Sequence, residues 1–288
     1  MKFKYSIVIP TFKREKLLIE ALESAVNQRY SKELYEIVVC NNNPEEDSVE
    51  LHIKRCNTKY IKYIKNKKNL GMVGNWNHCV RQASGSFIVM LHDDDILCEN
   101  HLEKLDQIIG KDHSLDPLNT IIGFDVNIFS DSKSVRKDGV ITGSETVSHR
   151  SLLWKCPFSM TGLTINRVIF EKYGFFNESY YSADHEFYYR VSRLGGGLLK
   201  VYGDLGNYRI NSNISLNKKT LLAMIVEQRN IFSSSKEYSQ IEKNASNFLL
   251  KIRTIIFWKK GIRFSVREII ESPLYVFYII KRRVESKL

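Results

Sequence analysis

The residues whose types and spacing bear most directly on chemistry are His92-Asp93-Asp94-Asp95, set behind the apolar run Phe87-Ile88-Val89-Met90-Leu91. Three carboxylates at the carboxyl end of a buried strand repel one another. Such a cluster persists where a cation, a proton or a sugar hydroxyl compensates the charge. The segment is therefore a candidate metal and ligand site.

These carboxylates need strand ends to stand on, and the flanking sequence supplies several. Tyr5-Ser6-Ile7-Val8-Ile9-Pro10 is a β-branched run closed by Pro, followed by Leu17, Leu18, Ala21, Leu22, Ala25 and Val26 at helical spacing. Glu36-Ile37-Val38-Val39-Cys40 predicts a second buried strand, closed by Asn41-Asn42-Asn43-Pro44, with a short helix over residues 47–56. A weaker third strand is predicted from Tyr60 to Ile64 and a helix over residues 73–83, after which Phe87 to Leu91 delivers the acidic cluster. This alternation implies an α/β fold, a Rossmann-like, mostly parallel sheet flanked by helices. Ligands of such sheets bind beyond the carboxyl ends of the strands, where Thr11 to Arg14, Asn41 to Asn43 and His92 to Asp95 fall. Further along, a strand is predicted from Thr120 to Phe129, a helix from Asp184 to Leu194 stopped by Gly195-Gly196-Gly197, and a last strand from Leu198 to Tyr202.

With 288 residues, 43% of them hydrophobic, the chain can bury a large core. Its 43 Lys and Arg against 32 Asp and Glu leave +11, which favours nucleic acid, an anionic membrane surface or a phosphorylated substrate without choosing among them. Residues 248–288 hold ten Lys or Arg and three Glu, so +7 of that excess lies in the tail. There Ile262, Val266, Ile269, Ile270, Val276, Phe277, Ile280 and Val284 form an apolar stripe accompanied by Arg263, Arg267, Lys281, Arg282 and Arg283. Such a basic amphipathic extension is expected either to lie on a membrane surface or to cap the core. No run reaches the roughly 18 apolar residues of a membrane span. Five cysteines without a C-x-x-C pair fit a reducing cytosol.

Five segments occur in an order that resembles the motifs of glycosyltransferase family 2: Ser6 to Phe12, Glu36 to Asn42, Asn69-Leu70-Gly71 with Asn77, Leu91 to Leu97, and Asp184 to Arg190. The resemblance implies a GT-A fold over residues 1–217, followed by the helical extension over 218–288. It also implies a nucleotide-diphosphate sugar donor, Mn²⁺ or Mg²⁺ as cofactor, and inversion at the anomeric carbon. It puts Asp94 on the metal with Asp95 in support, and Asp93 on the ribose or sugar. His92 stands where the family often has its first Asp and reads as a packed histidine rather than a ligand. Asp184 matches the catalytic base, although the Glu usual before it is Ala183 here; its alternative role is the N-cap of the following helix. A carboxylate suits inversion, which needs one base to take the acceptor proton.

Pro10, Thr11, Phe12 and Arg14 resemble the first donor-binding loop, and Asn41 or Asn42 stands where an aspartate commonly reads the nucleobase. Asn69, Gly71 and Asn77 resemble the loop that closes on the nucleotide. Tyr208-Arg209-Ile210-Asn211 resembles the segment that folds over the diphosphate, with Arg209 suited to phosphate and Asn211 in place of a histidine.

The activity so implied is that of an inverting glycosyltransferase in bacterial-type cell-surface polysaccharide assembly, such as capsule or lipopolysaccharide. It would act on a glycan or lipid-linked glycan acceptor, as a peripheral protein at the cytoplasmic face of the cell membrane. One alternative is a catalytically impaired nucleotide-sugar-binding scaffold, suggested by His92, Ala183 and Asn211. Another is a nucleic-acid-binding protein, suggested by the charge and opposed by the clustered aspartates. Pro10-Thr11-Phe12-Lys13-Arg14 after the first strand lacks both G-x-G-x-x-G and a P-loop, which argues against dinucleotide and Walker-type binding. Nucleic acid is not an expected partner.

Overall fold

A computed structural model of the chain describes residues 3–45, 49–50, 53, 59–111, 116–130, 134–210, 218–233, 235–258 and 271–285. The first apolar runs form β1 (Tyr5–Thr11), β2 (Tyr35–Asn41), β3 (Ile61–Lys65) and β4 (Phe87–Met90), paired in parallel with β1 between β2 and β4. Successive side chains on a strand point to opposite faces, and both faces are covered here. Tyr5, Ile7 and Ile9 pack with Leu18, Ala21, Leu22 and Ala25 of α1 (Glu15–Val26). Val8 joins the core on the other face with Val73, Trp76, Cys79 and Val80 of α2 (Met72–Gln82). Double coverage is the reason β1, β2 and β4 read as mostly apolar runs, while the edge strand β3 is interrupted by lysines.

Beyond β4 the sheet becomes mixed. The next elements are β5 (Ile96–Leu97), α3 (His101–Lys111), β6 (Thr120–Phe129), β7 (Gly143–Thr146), α4 (His149–Leu152), β8 (Thr164–Asn166), α5 (Arg167–Tyr173), α6 (Ala183–Arg193) and β9 (Gly197–Arg209). The strand order is β3-β2-β1-β4-β8-β6-β9-β5, with β7 also on β9. β8 runs antiparallel to β4 and β6, β6 and β9 are parallel, and β5 and β7 are antiparallel to β9. The last strand therefore continues from Tyr202 to Arg209, because β6 and β5 both offer it hydrogen-bonding edges.

Gly162, in the turn before β8, donates its N–H to the Met90 carbonyl at 2.8 Å. Its φ is +76°, and a Cβ there would lie 2.5 Å from His101 Cε1. Replacement by Ala combines left-handed strain with overpacking, so Gly162→Ala is expected to cost about 1–3 kcal/mol of stability. A lower denaturation midpoint is the measurement; an unchanged one would mean that the turn yields freely.

The C-terminal helices α7 (Lys218–Ser233), α8 (Gln240–Trp258) and α9 (Ser272–Glu285) fold back on this body. Ile231, Phe232 and Tyr238 enter the α2-side core, and Ala245, Phe248 and Tyr275 make a smaller cluster beside Trp154. Gln228 Nε2 donates to the Leu153 carbonyl and Tyr238 Oη to the His149 carbonyl, each at 2.8 Å. Val276, Phe277 and Ile280 of α9 remain exposed. Among the described residues no helix is long and apolar enough to cross a membrane. Most of the helix predicted over 47–56, with Cys56, lies outside the described residues, as do Asn211 and the stripe residues Ile262 to Ile270.

Candidate active site

The acidic segment forms a turn between β4 and β5, with the Asp95 N–H returning to the His92 carbonyl at 3.2 Å. Neighbouring strands fasten it. The Arg209 N–H on β9 donates to Asp95 Oδ1 at 3.0 Å and its Nε to the Asp94 carbonyl at 2.9 Å, while the Thr161 hydroxyl donates to Asp95 Oδ2. Asp93 Oδ2 accepts the Thr11 hydroxyl at 2.7 Å and the Phe12 N–H at 3.3 Å, which ties the turn to the end of β1. Arg14 Nη1 bridges Asp94 Oδ2 at 2.6 Å and Asp93 Oδ1 at 3.3 Å. The like charges are thus compensated by one guanidinium and by hydrogen bonds. Burial pushes Asp93 up to about 6, against the Thr11 hydroxyl and Arg14. Burial and then the Asp94 charge push Asp95 up to about 7.

The loop after β1 turns sharply at Lys13, whose φ of 57° is in the left-handed region. Pro10, Thr11, Phe12 and Arg14 line a cavity of about 670 Å³, together with Asn42, Asn69, Gly71, Asp93 and Asp94. Behind it lies an amide network. Asn42 Nδ2 donates to Asn69 Oδ1 at 2.8 Å and the Gly71 carbonyl at 3.1 Å, and its Oδ1 accepts from the Leu70 N–H and Asn66 Nδ2. Asn75 Nδ2 adds a bond to the Cys40 carbonyl at 3.0 Å. Asn66 and Asn75 carry no motif, and only their burial together reveals them.

Asp184 reaches the same cavity from the first turn of α6. It is half-buried, and burial pushes its carboxyl up from the usual carboxylate range. The N-cap position of α6 is Ser182 rather than Asp184, but the Ser182 side chain makes no bond into the helix, and the backbone N–H groups of Asp184 and His185 act on the Asp184 carboxylate. Trp76, Phe158, Met160 and Tyr181 complete much of the wall. These residues resemble ordinary core in the sequence and give no signal there.

Four other sequence-selected residues stand away from the cavity lining. Asn41 is buried, donating to Tyr63 Oη at 3.1 Å and accepting from the Asn43 N–H at 2.9 Å. Asn77 holds α2 to the chain before α6 through the Phe176 backbone and Glu178. Asp95 faces Thr161 and β9. Arg209 Nη2 pairs with Glu20 Oε2 at 2.6 Å, so its guanidinium fastens the acidic turn to α1.

His92, Asp94 and Asp95 each present a ligand atom, all within 4.8 Å of one another. The His92 ring packs on Trp76 with centroids 5.2 Å apart. Its buried Nε2 has no hydrogen-bond partner, and burial pushes its pKa down, which favours the neutral, metal-binding imidazole. An orphaned imidazole nitrogen beside two carboxylates fits a divalent cation of the Mn²⁺ class.

The sequence model described as Glycosyl transferase family 2 matches residues 6–174. GalNAc(5)-diNAcBac-PP-undecaprenol beta-1,3-glucosyltransferase of Campylobacter jejuni is 34% identical over 144 residues, 48% of this chain; the match spans less than half, 46%, of that protein. The crystal structure of S. aureus TarS 1-349 in complex with UDP-GlcNAc superposes with a TM-score of 0.63 at 16% identity, covering 92% of this chain and 77% of that one. The mannosyltransferase PcManGT from Pyrobaculum calidifontis, in complex with GDP-Man and Mn2+, superposes at 0.53 with 14% identity, covering 92% and 66%. Both structures share the fold.

Proposed function

The chain belongs to glycosyl transferase family 2, and on that premise we propose that it moves a sugar, with inversion, from a nucleoside-diphosphate donor to a lipid-linked glycan acceptor in cell-surface polysaccharide assembly. Asp93, Asp94 and Asp184 converge with the loop from Pro10 to Arg14 on one cavity, and that convergence carries the reading. Phe12, 39% exposed, offers an aromatic face to the nucleobase, beside the loop held by Asn42 and Asn69. Asp93 takes the ribose or sugar hydroxyls. Arg14 presents a guanidinium fork suited to phosphate.

Mn²⁺ or Mg²⁺, held by Asp94 and His92 with Asp95 behind them, would supply Lewis-acid neutralisation of the diphosphate leaving group. Opposite the departing phosphate, the Asp184 carboxylate takes the acceptor hydroxyl proton as that oxygen attacks the anomeric carbon. Arg209 keeps the turn in register from behind, so Arg209→Leu is expected to weaken Mn²⁺ binding about 10- to 100-fold, measured by calorimetric titration. Unchanged affinity would mean that the turn holds its own shape.

Turnover of UDP-glucose, UDP-GlcNAc and GDP-mannose with Mn²⁺, followed by release of the nucleoside diphosphate, tests the proposal and selects the donor. An imidazole in place of a carboxylate still offers a ligand atom, so His92 does not by itself argue for an impaired scaffold; failure to turn over any donor with or without acceptor would.

The undecaprenol in the Campylobacter relative's name supports a lipid-linked acceptor. Exposed Val276, Phe277 and Ile280, followed by Lys281, Arg282 and Arg283, support contact with the anionic cytoplasmic face of a membrane. Each basic residue near such a surface contributes about 1 kcal/mol, so replacing those three by Glu is expected to weaken binding to phosphatidylglycerol vesicles at least ~100-fold. Undiminished cosedimentation would leave the tail as a cap on the core.

A further inference from the structure

Glu227, on α7, belongs to none of the sequence motifs and is only 8% exposed. Its carboxylate turns onto the amino end of α6. Oε1 accepts from the Tyr181 N–H at 2.8 Å, and Oε2 accepts from the Ser182 N–H at 2.9 Å and the Ser182 hydroxyl at 2.6 Å. Ser182 is the N-cap residue yet makes no side-chain bond into the helix; its hydroxyl donates to Glu227 instead. A buried carboxylate is tolerated where charge-assisted hydrogen bonds replace its water, and the amino end of a helix favours negative charge. Three such bonds fix the chain two and three residues before Asp184.

The same helix reaches the cavity. Thr220 and Met224 line it, and with Glu227 they follow i, i+4, i+7 spacing, which puts all three on one face of α7. One helix therefore carries both a wall of the cavity and the strut behind the segment that leads to Asp184.

We propose that Glu227 is a positioning residue for sugar transfer: by anchoring the amino end of α6 it holds Asp184 against the acceptor hydroxyl, making α7 part of the active site. This role rests on Asp184 acting as the base, as proposed above. The Glu227 charge also raises the Asp184 carboxyl, after the larger effect of burial. Neutralising Glu227 therefore moves the acid limb of the rate profile to lower pH.

The test compares Glu227→Gln, Gln228→Ala and Asp184→Asn in the full chain, with Mn²⁺ and the donor selected from UDP-glucose, UDP-GlcNAc and GDP-mannose. Glu227→Gln is expected to lower kcat about 10- to 100-fold with little change in donor KM, and to shift the acid limb downward. Gln228→Ala loosens the same helix from Leu153 and Ser246. It is expected to lower the melting temperature while leaving kcat and the acid limb in place. A folded Glu227→Gln protein with wild-type kcat and acid limb, or an equal kcat loss in Gln228→Ala, overturns the role.

Should Glu227→Gln fail to fold, Ser182→Ala removes only the hydroxyl bond and is expected to lower kcat severalfold; no loss overturns the role as well. A substrate-free readout is alkylation of Cys156 by iodoacetamide, since this exposed residue has its Sγ 3.9 Å from Asp184 Oδ2 and the Asp184 charge, after burial, pushes its thiol up. Displacing Asp184 is expected to speed that reaction in Glu227→Gln and not in Gln228→Ala, and an unchanged rate counts against the role. If Asp184→Asn keeps its turnover, the base assignment itself falls. If Asp184→Asn is inactive while Glu227→Gln behaves as wild type, only the positioning role falls.

Discussion

Asparagine in place of Asp184 is expected to lower the rate of sugar transfer about 10²- to 10⁴-fold, with donor binding nearly unchanged. The amide has the shape of the carboxylate and none of its basicity, so the acceptor proton loses its destination. The first donor-binding loop and the acidic turn lie on other elements and keep their geometry. The pH dependence gives a second reading. The reacting form is the carboxylate, so the rate falls as pH drops through the carboxyl pKa. Burial raises that pKa, which sets the acid limb above the range of an exposed aspartate. In Asp184→Asn this limb disappears along with the rate. A purely structural aspartate would behave differently: loss of a helix cap costs about 1 kcal/mol of stability and leaves turnover intact. Asparagine keeps a side-chain oxygen for the backbone N–H groups of Asp184 and His185, so the melting temperature should move little. Retained turnover by the folded variant would falsify the assignment of Asp184 as base.

The first half of the sheet is legible in the sequence because β1, β2 and β4 are buried on both faces. They are mostly apolar runs, and the polar residues that follow them mark the strand ends where the site lies. The second half of the sheet is less legible. β8 has three residues and β5 two, too few to carry a period. Their places come from pairing with distant strands. Side-chain direction was the other obstacle. Arg209 has the chemistry to hold phosphate, yet the β9 register turns its guanidinium toward Glu20 and Phe129. Asn41 and Asn77 look like ligand-binding amides, and each is satisfied by protein groups. Glu227 had no signal at all: a glutamate in a helix reads as solvated, and only the fold reveals the buried amino end against which it packs.

Within the acidic turn the three aspartates are expected to separate by function, with Asp94→Asn the most damaging to chemistry. Asp95 has Thr161 on one oxygen and the Arg209 N–H on the other, so its loss should first loosen β9 from the turn. Asp93 holds the Thr11 hydroxyl and Phe12 N–H, and its loss should first disorder the donor loop and raise donor KM. Asp94 has its carbonyl fixed by Arg209 while its carboxylate faces the cavity with Arg14 as partner. Replacing it removes the charge that would hold a cation beside His92 and leaves the turn's backbone fastened. Cation neutralisation of a leaving group is worth several kcal/mol, and each 1.36 kcal/mol is tenfold in rate. Asp94→Asn should therefore cost about 10²- to 10³-fold in kcat and raise the Mn²⁺ concentration needed for half-maximal rate. Higher Mn²⁺ should recover part of the rate, because His92 and Asp95 still offer ligand atoms. Turnover that depends on Mn²⁺ as in the wild type would instead assign the cation to other residues and leave Asp94 as the counter-charge of Arg14.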